Sequence, residues 1–338
     1  MLSAAGETMH TVIFGAGALG SILGGYVAET GEDVTLVGRK PHMDAIRAHG
    51  LIIEGMRGRH VVRDIRATAD SREVTAADTL ILAVKSYDTA DALASLAHLR
   101  GRVGAVLSVQ NGGGKDDVLA EAFGREAVLG ATSIVGGAMP APGRVIHTNE
   151  GGTWLGEFDG RRTARVEAIA DAFRKASLPV EVRDDIRSAI WCKLNQMVPA
   201  ATLACVTRLR VHEMYQEPSL AALFVELSRE VAGVAARLGI PLVDCQGFPV
   251  KTLCSQPFDA AVESVIARGR GMQERGMTQV KISTLQDLER GKRTEAEHVI
   301  GYVVDLAAAH GVAVPKLALL YRVIRGVEAA QLPKANEQ

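Results

Sequence analysis

No sign of charge dominates this chain: 38 lysines and arginines stand against 39 aspartates and glutamates, a formal net charge of −1. Without a global field to draw it onto nucleic acid or anionic lipid, neither is expected as a partner. Cysteine is scarce as well. Cys192, Cys205, Cys245 and Cys254 lack the short paired spacing of a zinc site or a redox motif, and a chain of 338 residues needs no disulfide staples. They read as core residues in a reducing compartment. None of the nine histidines falls in a His-x-x-x-His or clustered Cys/His pattern, so no metal is expected. No apolar run approaches the length of a membrane span, and the opening MLSAAGETMH has no basic stretch followed by an apolar one. A cytoplasmic location is the resulting expectation. Internal repeats and low-complexity segments are missing too.

What is present is globular. Hydrophobic residues make up 47% and charged residues 23% of a length that favours two domains over one. From His10 to about Val182, apolar strand-like runs alternate with helical stretches: TVIF, DVTLV at 33–37, TLILAV at 79–84 and VGAVLSV at 103–109. Their continuous apolar character predicts parallel strands buried on both faces, with helices such as 17–30 and 88–98 as crossovers of a doubly wound sheet. Residues 126–158, broken by glycine and Pro142, predict an antiparallel extension at the end of that sheet. After LPVEV at 178–182 the pattern turns helical: 185–207, 217–239, 256–267, 294–310 and 315–330. The predicted architecture is an α/β Rossmann-type doubly wound domain over residues 1–183, followed by an all-α domain over 184–338.

The stretch VIFGAGALGS at 12–21 supplies the first functional signal. Gly15, Gly17 and Gly20, with Ala18 and Leu19 between them, follow an apolar run and open a helix. Glycines there permit a tight turn, close approach of backbone to a pyrophosphate and close helix–strand packing, while the helix end offers unpaired N–H groups. The second strand ends in LVGRK, with Arg39 and Lys40 where an acidic residue would bind a ribose 2′-hydroxyl. A guanidinium grips a 2′-phosphate through paired charged hydrogen bonds, so NADP is favoured over NAD. An exposed basic turn is the alternative. AVKSYDT at 83–89 and SVQNGGG at 108–114 leave strands where ligands sit in open α/β sheets. Lys85 there can reach a phosphate and Asn111 a ribose or substrate, or both stretches are ordinary turns.

In the helical half, DDIRSAIWCKLNQMVPAATL places Lys193 in an otherwise apolar helix. Such a lysine reaches solvent, finds a partner or sits in a cleft. KISTLQDLERGKRTEAEHVIGYVV at 281–304 carries Ser283 and Glu295 ahead of an apolar helix. Thr294 with Glu297 has capping-box spacing, and Glu295 in a first turn suits the helix dipole whether or not it is catalytic. On residue chemistry alone, the roles of Lys193 and Glu295 stay open.

Taken together, FGAGALGS, the strand ending in Arg39, AVKSYDT, QNGGG, the PGRVIH segment, WCKL and STLQDLERGKRTEAEHVIGYVV occur in an order that resembles the ketopantoate reductase (2-dehydropantoate 2-reductase) family over about residues 10–330. The resemblance implies a Rossmann domain that binds NADPH, a helical domain and an active site in the cleft between them. It implies that Lys193 is the general acid, that Glu295 holds the substrate hydroxyl, that Ser283 binds substrate and that Asn111 stands at the boundary of cofactor and substrate. The cofactor cradle it implies comprises Gly15, Gly17, Ala18, Leu19, Gly20, Arg39, Lys85, Asn111 and Glu295. The expected reaction is NADPH-dependent reduction of a small 2-oxo acid, ketopantoate first, in pantothenate biosynthesis. Where the family commonly has asparagines four and eight residues after the lysine, this chain has Met197 and Ala201, and Val280 stands where another is often found. A more apolar ketone is therefore the alternative substrate, and a dinucleotide sensor without turnover the alternative function. A homodimer is expected from the apolar faces of the long helices.

Overall fold

The structure is a computed structural model that describes residues 8–331. The opening MLSAAGE, which entered the reading of location, and the outer ends of the two expected domains lie outside the described residues. The chain forms two compact units, one of residues up to Gln110 with Gly114–Arg187, the other of Asn111–Gly113 with the residues from Ser188 on. The division thus falls after Arg187, where the sequence pattern placed it at 183/184.

The first unit contains, in order, β1 (Thr11–Phe14), α1 (Ala18–Glu29), β2 (Val34–Val37), α2 (Lys40–His49), β3 (Leu51–Gly55), β4 (His60–Val62), β5 (Arg66–Thr68), β6 (Ala77–Leu82), α3 (Thr89–Ser95), β7 (Val103–Ser108), α4 (Lys115–Phe123), β8 (Gly130–Ser133), β9 (Gly136–Ala141), β10 (Arg144–Asn149), β11 (Thr153–Gly156), α5 (Ala164–Lys175) and β12 (Val180–Val182). The order β5-β2-β1-β6-β7, with every neighbouring pair parallel, is a doubly wound sheet whose strand order reverses between β1 and β6. Its central strands are buried on both faces, as their continuous apolar runs predict.

Residues 126–158 are antiparallel in their β9–β10 and β8–β11 pairs, but they do not extend that sheet. They build two further sheets, ordered β4-β3-β10-β9 and β12-β11-β8, and only the bridge Val106–Val128 reaches back to the parallel sheet. The reason lies in β3, a strand absent from the sequence reading, which offers β10 a parallel edge through the register Ile53 to Val145. Helix α1 lies close on both sheets. A Cβ on Gly24 would come within 2.7 Å of Leu36 in β2, and one on Gly25 within 2.5 Å of Ile53 in β3.

The second unit is helical: α6 (Ile186–Thr207) enters it, followed by α7 (Val211–Gln216), α8 (Pro218–Arg237), α9 (Val250–Ser255), α10 (Phe258–Glu274), α11 (Ser283–Glu289), a π-turn over Glu297–Gly301, α12 (Tyr302–Ala309) and α13 (Pro315–Gln331). Three of these, α7, α9 and α11, are one or two turns long and carry too little periodicity to be read from sequence. Their apolar core joins Leu194, Val198 and Ala201 of α6 to Phe224, Leu285 and Ile300. Among the described residues no helix is long and apolar enough to cross a membrane.

His10, His42 and His147, all in the first unit, have their pKa values lowered, in each case chiefly by burial. His42 is fixed by the Gly143 N–H on Nδ1 at 2.8 Å and by Ser21 Oγ 3.0 Å from Nε2. In the unfolded chain each titrates near about 6.5. The unfolded state therefore binds more protons below that pH, so their contribution is fully present above it and declines as pH falls toward the lowered folded values. We expect the melting temperature to drop between about pH 7.5 and 5.5, and His42→Gln to make the slope shallower. A flat profile, or an unchanged slope in the variant, would contradict this.

Candidate active site

The sheet's strand order reverses beside the loop that joins β1 to α1. Gly15 has φ +100°, and a Cβ there would lie 2.4 Å from the Val84 nitrogen at the end of the neighbouring strand. Gly20 admits no Cβ either, since one would sit 2.6 Å from Gly15 O and 3.0 Å from Ile13. Gly17 differs: a Cβ there meets nothing closer than Gly15 O at 4.0 Å, so the space over the helix end is open. The first i→i−4 bond of α1 is Ser21 N–H to Gly17 O at 3.0 Å. Ahead of it, the N–H groups of Ala18, Leu19 and Gly20 point out of the helix end. Open space beside unpaired donors fits a pyrophosphate.

At the end of β2, Gly38 leads to Arg39, whose side chain is 87% exposed and touches the Asp88 carboxylate only at 3.9 Å. So long and exposed a pair is worth little and leaves the guanidinium able to take an anion. Lys40 is paired with Asp44 at 2.8 Å. Lys85 is the half-buried residue that opens the 3-10 turn Ser86–Asp88 after β6. A residue that sequence reasoning missed joins this loop to the next. Buried Gln110 donates from Nε2 to Val84 O at 3.0 Å and to Thr89 Oγ1 at 2.8 Å, and accepts from Ser108 Oγ at 2.9 Å. Only its place in QNGGG marked it.

In the second unit the chain brings together three of the predicted residues. Lys193, in α6 and 6% exposed, donates from Nζ to Asn111 Oδ1 at 3.0 Å. Asn111 Nδ2 donates to Glu295 Oε2 at 3.3 Å, and Glu295 is 3% exposed. One amide thus accepts from an ammonium and donates to a carboxylate, which offsets part of the cost of burying both charges.

The glycines after Asn111 explain how it arrives there. A Cβ on Gly112 (φ +92°) would lie 2.4 Å from His298 O, and one on Gly113 would lie 1.9 Å from the Tyr302 ring. The loop is pressed flat on the π-turn that follows Glu295, and any larger residue would lift Asn111 away. The segment before the π-turn is held by Glu328 of α13, whose carboxylate accepts the Thr294 N–H at 2.6 Å. This corrects the capping-box reading. Thr294 Oγ1 accepts from Ala296 N–H at 3.1 Å, while Glu297 faces Arg293 and Arg325 instead of reaching back.

Ser283 begins α11 half-buried and makes no hydrogen bond to Lys193, Asn111 or Glu295. Met197 is half-buried, Ala201 lies in the apolar core with no exposed surface, and Val280 is 38% exposed. Asn195 points to another face of α6, where its Nδ2 donates to Ser228 O at 2.9 Å.

A doubly wound sheet with a phosphate-ready glycine loop, joined to a helical unit that buries a lysine–asparagine–glutamate chain, defines a dinucleotide-dependent oxidoreductase. Comparison with known proteins gives the particular family. The family model for ketopantoate reductase PanE/ApbA matches residues 11–160, and that for its C-terminal domain matches 185–328. A 2-dehydropantoate 2-reductase of Pyrococcus abyssi is 34% identical, over 96% of this chain and 99% of its own length. The crystal structure of a PanE/ApbA family ketopantoate reductase from Ralstonia eutropha JMP134 superposes with TM-score 0.80 at 31% identity, over 96% of this chain and 99% of that one. The fold is also that of a D-mandelate dehydrogenase solved with NADH and anilino(oxo)acetate, with TM-score 0.82 at 21% identity, over 96% of this chain and 99% of that one. The chain belongs to the ketopantoate reductase PanE/ApbA family.

If the flat loop is what delivers Asn111, Gly113→Ala lowers turnover by about tenfold or more, the cost of misplacing one polar group in a preorganised site. Gly326→Ala, where a Cβ meets no atom within 4 Å, leaves it unchanged. Equal turnover in the two variants would contradict the packing argument.

Proposed function

We propose that this chain reduces a small 2-oxo acid with NADPH, and that the substrate is 2-dehydropantoate (ketopantoate) and the product pantoate, the step expected of a pantothenate-pathway reductase. The observation that carries this reading is the buried chain Lys193–Asn111–Glu295. The glycine loop, with its open space over Gly17 and the N–H groups of Ala18, Leu19 and Gly20, would hold the pyrophosphate of the dinucleotide, with Gly15 and Gly20 shaping the turn. Lys85 would reach a phosphate. Bound there, the nicotinamide dinucleotide supplies the hydride for the ketone carbon.

The chain's own residues supply the rest. As negative charge develops on the ketone oxygen, Lys193 Nζ donates a proton to it, the general-acid step that avoids a free alkoxide. Asn111 Oδ1 fixes the direction of that ammonium, and its Nδ2 keeps Glu295 in place. Glu295 accepts a hydrogen bond from the substrate hydroxyl and balances the lysine's charge. Ser283, whose side chain has no hydrogen bond among the described residues, is available to the substrate. Support for NADP over NAD comes from Arg39 and Lys40, which follow β2 where an acidic residue would bind a ribose 2′-hydroxyl.

One observation favours a second reading of the substrate. Met197, one turn beyond Lys193 on the same helix face, puts an apolar side chain where a hydroxyl-binding amide would stand. A more apolar ketone would suit that position.

Lys193→Ala should lower kcat by about 10² or more while NADPH affinity changes little, as expected for loss of a general acid. An unchanged kcat would remove Lys193 from the mechanism. The unmodified protein should prefer NADPH to NADH, and Arg39→Ala should narrow that preference by about tenfold, the worth of a charge-assisted hydrogen bond. Equal use of the two cofactors would overturn the assignment.

A further inference from the structure

We propose that Cys192 and Cys245 form a redox-modification site, a pair of thiols that closes into an intrachain disulfide beside Lys193. The fold makes this pair, which is why spacing along the chain gives no sign of it. Phe248 O accepts from Cys192 Sγ at 3.3 Å and from the Cys245 N–H at 3.0 Å, so both residues converge on one carbonyl. The Phe248 N–H returns to Cys245 O at 2.7 Å, and the turn between them uses Gly247 at φ +80°. Cys245 is thereby locked in a two-way backbone bridge facing α6. Held on the same carbonyl, the two residues are neighbours across the fold, the approach from which a disulfide closes. Cys254 is turned elsewhere, with its Sγ 3.8 Å from Ser228 O.

The two sulfurs have different parts. Cys192 has no exposed surface and Cys245 is 7% exposed. The neighbouring Cys245 side chain and burial hold the Cys192 thiol well above its ordinary pKa, so Cys192 is a poor first nucleophile. A hydroperoxide is the oxidant this order calls for. Cys245 sulfur attacks the outer peroxide oxygen, the O–O bond breaks, the alcohol leaves and Cys245 becomes a sulfenic acid. Cys192 sulfur then attacks Cys245 sulfur, the S–O bond breaks, and the departing hydroxide takes the Cys192 proton and leaves as water. The sum is two thiols and one hydroperoxide giving one disulfide, one alcohol and one water. Because Lys193 follows Cys192 directly on α6, the new bond pins the segment between α8 and α9 to the helix that carries the lysine.

The full chain is incubated with cumene hydroperoxide, unfolded in iodoacetamide and mapped by mass spectrometry without reduction. The expected result is a cross-linked peptide joining Cys192 to Cys245, with Cys205 and Cys254 still alkylated, and return of both thiols on treatment with dithiothreitol. Cys245→Ser should abolish the cross-link and leave Cys192 alkylated. Full alkylation of Cys192 and Cys245 after oxidant, oxidation of Cys245 to sulfinic acid with no cross-link, or a disulfide to Cys205 or Cys254 would each overturn the proposal.

Discussion

One carboxamide connects the chemistry of this protein. Lys193 and Glu295 are both nearly without solvent contact, and two buried charges need partners of fixed geometry. Asn111 satisfies both at once, with its oxygen on the ammonium and its nitrogen on the carboxylate. It can do so only because Gly112 and Gly113 lie flat on the π-turn after Glu295. Removal of a π-turn residue, a glycine or the amide would therefore act on the same bond. Under the role proposed for Glu295, the π-turn beside it follows the tendency of such insertions to occur at functional sites.

The first unit solves a separate problem, that of bringing backbone close to an anion. Strands buried on both faces leave their carboxyl ends as the place for loops, and the strand order reverses between β1 and β6. Gly15 and Gly20 shape the first loop by steric necessity, while Gly17 keeps the space above the helix end clear. Gln110 ties the loop after β6 to the one after β7 through bonds to Val84 O and Thr89 Oγ1. Arg39 stands apart at the surface, suited to a negatively charged group that arrives from solvent.

Much of this was legible in the sequence, and the limits have physical causes. β1, β2, β6 and β7 showed as continuous apolar runs because both of their faces are buried, and the long helices α6, α8 and α13 showed as sustained patterns. Strands β3, β4 and β5 escaped: each has five residues or fewer, and half-exposed positions break their apolar character. Without β3 and β4, the strands that pair with them in the sheet β4-β3-β10-β9 read as an extension of the first sheet. Chemistry was less legible than fold. Neither Lys193 nor Glu295 differs, as a residue in a helix or a helix start, from a structural lysine or a dipole-stabilising glutamate. Their meaning comes from a contact across 82 and 184 residues of chain, which no local pattern encodes. The resemblance to a family pointed to the residues, while Gly113 against Tyr302 and Glu328 against Thr294 became visible only in three dimensions.

In the proposed reaction the Lys193–Asn111–Glu295 chain serves reduction of a 2-oxo acid bearing a hydroxyl for Glu295 to hold. Initial rates of NADPH oxidation, measured with ketopantoate and with 2-oxo acids that lack its hydroxymethyl group, test it most directly. Ketopantoate is expected to have the highest kcat/KM, by about tenfold or more, since a site built to bond a hydroxyl discriminates against analogues without one. A higher kcat/KM on a more apolar ketone, with little turnover of ketopantoate, would contradict it and assign the position at Met197 to a different substrate.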